Sequence, residues 1–409
     1  MSKLAIEGGK PLRTKPFPSK KGMGKEELNL LTKVIESGFL FRYNGKMVKT
    51  FEEEFALTYG IKEAIACTSG TAAIHIALGA INPEPGDEII TSPITDLGTV
   101  IPILFQNCIP VFADVDKDTY NLKAEEIEKK ITEKTRAIIV VHLFGQPAPV
   151  DKILKVARRH NLYLIEDCAQ AHLASYKDRL VGTWGDIGCF SLQQSKHITT
   201  GDGGITITNN SRLAKRAKLF SDKCYSRDGS SRDPYFLGLN YRMTELQGAV
   251  ALAQLKKVKG IVKRRRRVAK LLTSGLSKLK GVNPPRILEG AVSSYLLYPL
   301  TIDEKRLGRT TSNFVKALSR EGIPASNSYA GGKPVYLYKI FQRKATYGKS
   351  HCPFDCPRYG KKIEYKKGLC PQAEEALKRL ILLPCNEFFT QKDIEDIVRG
   401  VEKVAKHPR

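Results

Sequence analysis

The chain has 409 residues; at about 150 residues per domain that is enough for two or three domains around a large core. Hydrophobic residues at 42% and charged residues at 27% match an ordinary globular composition, which excludes pervasive disorder, and the longest apolar run, at 137–141, is far too short for a membrane helix. Lys and Arg number 67 against 42 Asp and Glu, a formal charge of +25 that attracts polyanions: nucleic acid, acidic membrane surface, or phosphorylated and nucleotide-linked small molecules.

The opening segment MSKLAIEGGKPLRTKPFPSKK carries no apolar stretch of the secretory kind, so a cytoplasmic location is expected. From about residue 60 short apolar runs alternate with helical stretches. Strands are predicted at 64–68, 87–91, 109–114, 137–141 and 163–165, and helices at 71–80, 97–105, 124–131 and 150–159. Such alternation predicts an α/β fold with a mainly parallel sheet covered on both faces. After Asp167 the rhythm changes to Gly-rich connections with strands at 187–192 and 205–208, and helix returns from 244 to about 272. A smaller α+β unit follows, with a strand at 295–302 and helices at 311–321, 373–380 and 392–406. We therefore divide the chain into an N-terminal arm with a large α/β domain (1–255) and a small C-terminal α+β domain (256–409). The stretch 329–368, rich in Gly, Tyr, Lys and Pro, reads as a long loop of the kind that is commonly functional or mobile.

Two clusters invite special chemistry. The basic run Lys263 to Arg267 with Lys270 lies in the predicted helix 244–272 and reads as a solvated face, with a polyanion patch as the alternative. His351, Cys352, Cys356 and Cys370 lie near some structural zinc spacings but lack a repeated C-x2-C pair, so no metal is expected. The odd count of nine cysteines fits free buried thiols better than disulfides.

Three pieces belong at the expected ligand edge of the sheet. Thr68-Ser69-Gly70-Thr71 follows a strand and opens a helix, where free N–H groups and hydroxyls suit a phosphate. In LYLIEDCAQAH, Asp167 ends a buried strand, placed to hold a cationic ring nitrogen, and Gln170 and His172 follow. In CFSLQQSKHITTGDGGITI, Ser191 ends a strand and Lys196 sits in a polar loop before glycines, where an amine can act covalently. A phosphate turn, an acid and a lysine together are what pyridoxal phosphate requires.

The stretches SGTAAIHIAL, PGDEIITSPIT, PVFADVD, VVHLFGQP, IEDCAQAH, FSLQQSKHITTGDGG, NYRMTELQGAV, CPQAEEAL and LPCNEF give the chain a resemblance, over nearly its whole length, to the DegT/StrS family of pyridoxal-phosphate sugar aminotransferases. The resemblance implies fold type I, the cofactor pyridoxal 5'-phosphate and a homodimer with shared active sites. It implies that Lys196 forms the Schiff base and shuttles the proton, that Asp167 pairs with the pyridinium nitrogen, and that Gln170 bonds the phenolic oxygen. It implies further that Gly70, Thr71 and Ser191 hold the phosphate and that Asn240 reaches the phosphate of the neighbouring subunit. His142 and His172 match supporting positions. Dehydratases similar to this family carry histidine where this chain has Lys196, so transamination is expected over dehydration; a binding or regulatory member of the same fold is the alternative from another class. One departure stands out: members commonly have an aromatic residue after the threonine of P-x-x-T, and this chain reads Pro93-Ile94-Thr95-Asp96. The opening segment is most similar to members that aminate keto-cyclitols such as scyllo-inosose or make an aminobenzoate starter unit. The expected acceptor is a keto-cyclitol or keto-sugar, the donor L-glutamine or L-glutamate, and neither membrane nor specific nucleic acid is an expected partner.

Overall fold

In the computed structural model, which describes residues 3–19, 22–227, 229 and 233–407, seven strands form one sheet. They are β1 (Glu63–Cys67), β2 (Glu88–Thr91), β3 (Ile109–Phe112), β4 (Thr135–Val141), β5 (Tyr163–Asp167), β6 (Ile187–Ser191) and β7 (Gly204–Thr208), in the order β1-β7-β6-β5-β4-β2-β3. The ladders β2–β3, β2–β4, β4–β5 and β5–β6 are parallel, and β7 alone runs antiparallel to both its neighbours. Alternate side chains go to opposite faces. Ile65, Ile89, Ile139 and Ile165 enter one core, whereas Ala64, Ile90, Ile138, Leu164 and Ile205 enter the cores on the other side. Burial on both faces explains why these strands read as continuous apolar runs rather than as alternating ones.

The helix expected at 97–105 is two pieces, a 3-10 turn Leu97–Thr99 and a short α-helix Ile101–Phe105. Asp96 caps the first through the Gly98 N–H, and Pro102, which lacks an N–H to continue an earlier helix, begins the second. Two helices before the sheet, Lys25–Ser37 and Met47–Tyr59, and one after it, Ser211–Phe220, complete the cover.

The helix Glu245–Leu276 is continuous across 255/256. It opens on a capping box between Thr244 and Gln247 and packs its apolar side against the large unit as far as Val262. From Val268 it joins a second core with β9 (Leu297–Ile302) and β10 (Ile381–Pro384), which form a three-stranded antiparallel sheet with β8 (Val282–Asn283). The basic run divides: Arg265 is buried against Glu387 at 2.7 Å and donates to the Leu296 and Cys385 carbonyls, Arg266 donates to the Ser293 and Leu173 carbonyls, and Lys263, Arg264, Arg267 and Lys270 are exposed.

Leu4 lies in this second core, and the Ala5 and Leu12 N–H groups donate to the Glu321 carboxylate. Arg13 pairs with Asp393 at 2.7 Å and Asp396 at 2.9 Å, all three nearly buried. The arm's side chains thus close the C-terminal core. Much of 335–380, by contrast, packs on the large sheet, with Tyr336, Phe341, Phe354 and Tyr365 gathered around Phe112 of β3.

Candidate active site

Because β1, β2, β5 and β6 point the same way, their carboxyl ends and the start of β7 share one edge of the sheet. A cavity of about 370 Å³ opens there, where parallel α/β sheets collect their ligands. It is lined by Ser69 to Thr71 after β1, Thr95, Asp96 and Thr99 after β2, Asp167 and Gln170 after β5, and Ser191 with Lys196 after β6.

The helix Gly70–Ile81 begins at this cavity, with the Ser69 hydroxyl accepting from the Ala72 N–H as its cap. The N–H groups of its first turn and the hydroxyls of Thr71 and Ser191 form a neutral anion cradle. Close packing makes it: a Cβ on Gly70 would stand 2.7 Å from Ser191 Cβ, and one on Gly98 would stand 2.6 Å from Thr71 Oγ1.

Asp167 is buried at the floor. Burial pushes its carboxyl above the usual range, against which the Thr99 hydroxyl (2.7 Å), the Ala169 N–H (3.0 Å) and Lys196 favour the ionised form. Thr99 donates to Asp167 and so accepts from the Thr95 hydroxyl at 2.6 Å, which fixes the direction of the chain. Lys196 closes a turn in which its N–H donates to the Gln193 carbonyl. Burial lowers its pKa while Asp167 and Asp96 raise it, so the balance favours a larger fraction of free amine than an exposed lysine offers.

Gln170 is oriented on both sides. Its Oε1 accepts from the Phe144 N–H at 2.9 Å, so its Nε2 faces Tyr329 and donates to that hydroxyl at 2.7 Å. Behind it, His142 Nδ1 accepts from the Ala148 N–H, so Nε2 donates to Glu166, whose carboxylate also takes the Gly182, Trp184 and Gly185 N–H groups. His142, Glu166 and Cys168 are the one group among the described residues close enough to ligate a metal, but the His142 and Glu166 atoms are engaged with each other. His172 is paired to the Ser191 carbonyl.

Six of the seven expected site residues, Gly70, Thr71, Asp167, Gln170, Ser191 and Lys196, thus line one cavity. Asn240 does not. It lies exposed, bridged to Asp222, on a surface that also exposes Phe41, Tyr43, Tyr235 and Leu239. Sequence reasoning missed Thr99 and Tyr329, which meet their partners across 68 and 159 positions. A threonine four places after Thr95 was the available signal for the first; nothing local announced the second. Of the three thiols of the 352–370 stretch, Cys352 lies beside Cys356 and faces Asn107, whereas Cys370 turns toward the Phe112 carbonyl. All nine cysteines are free, seven of them buried.

Residues 21–355 match the DegT/DnrJ/EryC1/StrS aminotransferase family, and the chain belongs to that family. It is an aminotransferase with the fold of the pyridoxal-phosphate-dependent enzymes of that class. An uncharacterized protein of Methanocaldococcus jannaschii is 36% identical over 401 residues, covering 96% of this chain and 98% of its own. A putative L-glutamine:3-amino-2,3-dideoxy-scyllo-inosose aminotransferase of Micromonospora echinospora is 35% identical over 417 residues, covering 98% and 97%. Among solved structures, an aminotransferase from Psychrobacter cryohalolentis is similar with a TM-score of 0.85 and 28% identity over 95% of this chain and 98% of that one.

Proposed function

We propose that this aminotransferase uses pyridoxal 5'-phosphate to move an amino group from L-glutamine or L-glutamate to a keto-cyclitol of the scyllo-inosose kind or to a keto-sugar. The observation that carries the reading is the convergence of a buried carboxylate, Asp167, and a lysine with depressed basicity, Lys196, beside a helix N-terminus in one cavity. The residues fit the cofactor chemically: the helix turn and two hydroxyls suit a phosphate, Gln170 suits a phenolic oxygen, and the buried Asp167 carboxylate suits a protonated ring nitrogen. Bound there, the cofactor supplies the electron sink that no side chain offers.

On this reading Asp167 holds the proton on the ring nitrogen, and Thr99 keeps its carboxylate turned and ionised. Lys196 Nζ would be the amine that holds the cofactor and the group that moves a proton at the substrate carbon. Gly70, Thr71 and Ser191 bind the phosphate. Asn240 serves the cavity of a second copy, which the exposed Phe41, Tyr43 and Tyr235 around it support as a self-contact surface. The acceptor is supported by the family and by the scyllo-inosose relative. The division at 255/256 is proposed as a boundary along the chain and not in space, since the helix Glu245–Leu276 is continuous across it, Leu4 joins the second core and much of 335–380 packs on the large sheet. Nine free thiols support a reducing compartment, the cytoplasm.

The test is the visible spectrum of the purified protein before and after L-glutamine or L-glutamate without acceptor. Loss of the lysine-bound cofactor band supports the reading and identifies the donor. A band that persists with both donors overturns the donor assignment, and no band after adding pyridoxal phosphate overturns the cofactor. Lys196→Ala is expected to abolish both the band and turnover.

A further inference from the structure

The charges lining the cavity are unbalanced in a direction opposite to the chain as a whole. Among the described residues that line it, Asp96, Asp167 and Asp202 face a single cation, Lys196, in a protein of net charge +25. Asp167 is engaged at the floor by Thr99 and Ala169, and the backbone of Asp202 belongs to the turn before β7, where its carbonyl accepts from Thr200 and Gln247. Asp96 has no such structural burden beyond one oxygen. Its Oδ1 accepts from the Gly98 N–H at 2.8 Å, which caps the 3-10 turn carrying Thr99, and the carboxylate remains exposed at the cavity wall.

We propose that Asp96 is a positioning residue whose negative charge favours the proton on the Lys196 nitrogen when that nitrogen is joined to the cofactor. This rests on the function proposed above. The groups facing Lys196 are Asp167 from β5, Asp96 from the turn after β2, Asp202 from the turn before β7, and, beyond Asp96, Tyr329 and Tyr338 of the long loop. His197, adjacent in sequence, is buried against the Ser294 carbonyl and His172. Of the two carboxylates that act on Lys196 most directly, Asp167 is tied to the floor and suited to the ring nitrogen. Asp96 is therefore the one left to act on the lysine nitrogen. A carboxylate stabilises a neighbouring cation, so it raises the pH at which that nitrogen loses its proton. A neutral side chain at this position offers no such field, and a proton on that nitrogen would make the cofactor carbon bonded to it the more electrophilic site for an incoming amine.

The test is a pH titration of the visible spectrum of the protein loaded with pyridoxal 5'-phosphate, wild type against Asp96→Asn and Asp96→Glu. Asparagine keeps the oxygen that caps Gly98 and removes only the charge. The midpoint is expected to fall by about 0.5–1 pH unit in D96N and to stay near the wild-type value in D96E. The gap between wild type and D96N is expected to narrow as salt is raised, because an exposed charge is screened, whereas a merely structural role gives no salt dependence. An unchanged midpoint in D96N, or a shift equal at low and high salt, overturns the proposal while leaving the cofactor reading intact. The absence of any visible band in the wild type overturns the cofactor reading and this proposal with it.

Discussion

Thr99 is a small residue with a large electrostatic duty. It is the hydroxyl donor to the buried Asp167 carboxylate, and a hydrogen bond to a charged group contributes about 1.5–3 kcal/mol. Thr99→Val is therefore expected to push the Asp167 carboxyl further toward neutrality and to lower kcat about tenfold to a hundredfold, with weaker retention of added pyridoxal phosphate. Thr99→Ser, which keeps the donor, is expected to restore most of both, and steady-state kinetics with a cofactor-binding titration checks the pair. Asp167, Ser191 and Lys196 were legible because each stands at a strand end or beside glycines, positions whose chemistry a sequence displays. Thr99 and Tyr329 were not, because their roles exist only once β2 and the long loop are brought against β5.

At the scale of elements, the helix Gly70–Ile81 carries the anion cradle at one end and a buried histidine along its length. His75 bonds the Tyr241 hydroxyl at 2.8 Å and packs edge-on against Phe220; burial lowers its pKa to about 4. The folded protein thus holds the ring neutral where the unfolded chain takes up a proton. Stability is fully present above the ordinary value of about 6.5 and is lost as pH falls from there to about 4, by up to about 3 kcal/mol. Urea unfolding at several pH values is expected to show that acid limb, flattened in His75→Gln. The strands of the large sheet and the helices at 150–159 and 392–406 were readable from apolar periodicity, since nothing local opposed it. The stretch 97–105 was misread as one helix because its apolar residues masked two stronger local signals, the Asp96 cap and Pro102.

For the whole molecule, the two cores share one long helix, and the arm crosses from the start of the large unit to the C-terminal core. That crossing was illegible from sequence because Arg13 and Asp396 are 383 positions apart, and a sequence displays periodicity, not such pairings. Arg13→Ala leaves Asp393 and Asp396 as nearly buried carboxylates without their cation, so a loss of about 3 kcal/mol is expected, measured as a lower urea midpoint. The arm also sets an order of events. Leu4, Ala5, Leu12 and Arg13 dock on Glu321, Asp393 and Asp396, so these early residues have nowhere to settle until the late ones exist and the helices between them have formed. A contact of such sequence separation forms late because its loop must close against a large loss of chain freedom. The arm is accordingly a latch: made early, it locks late, and no chain truncated before Asp393 can close it.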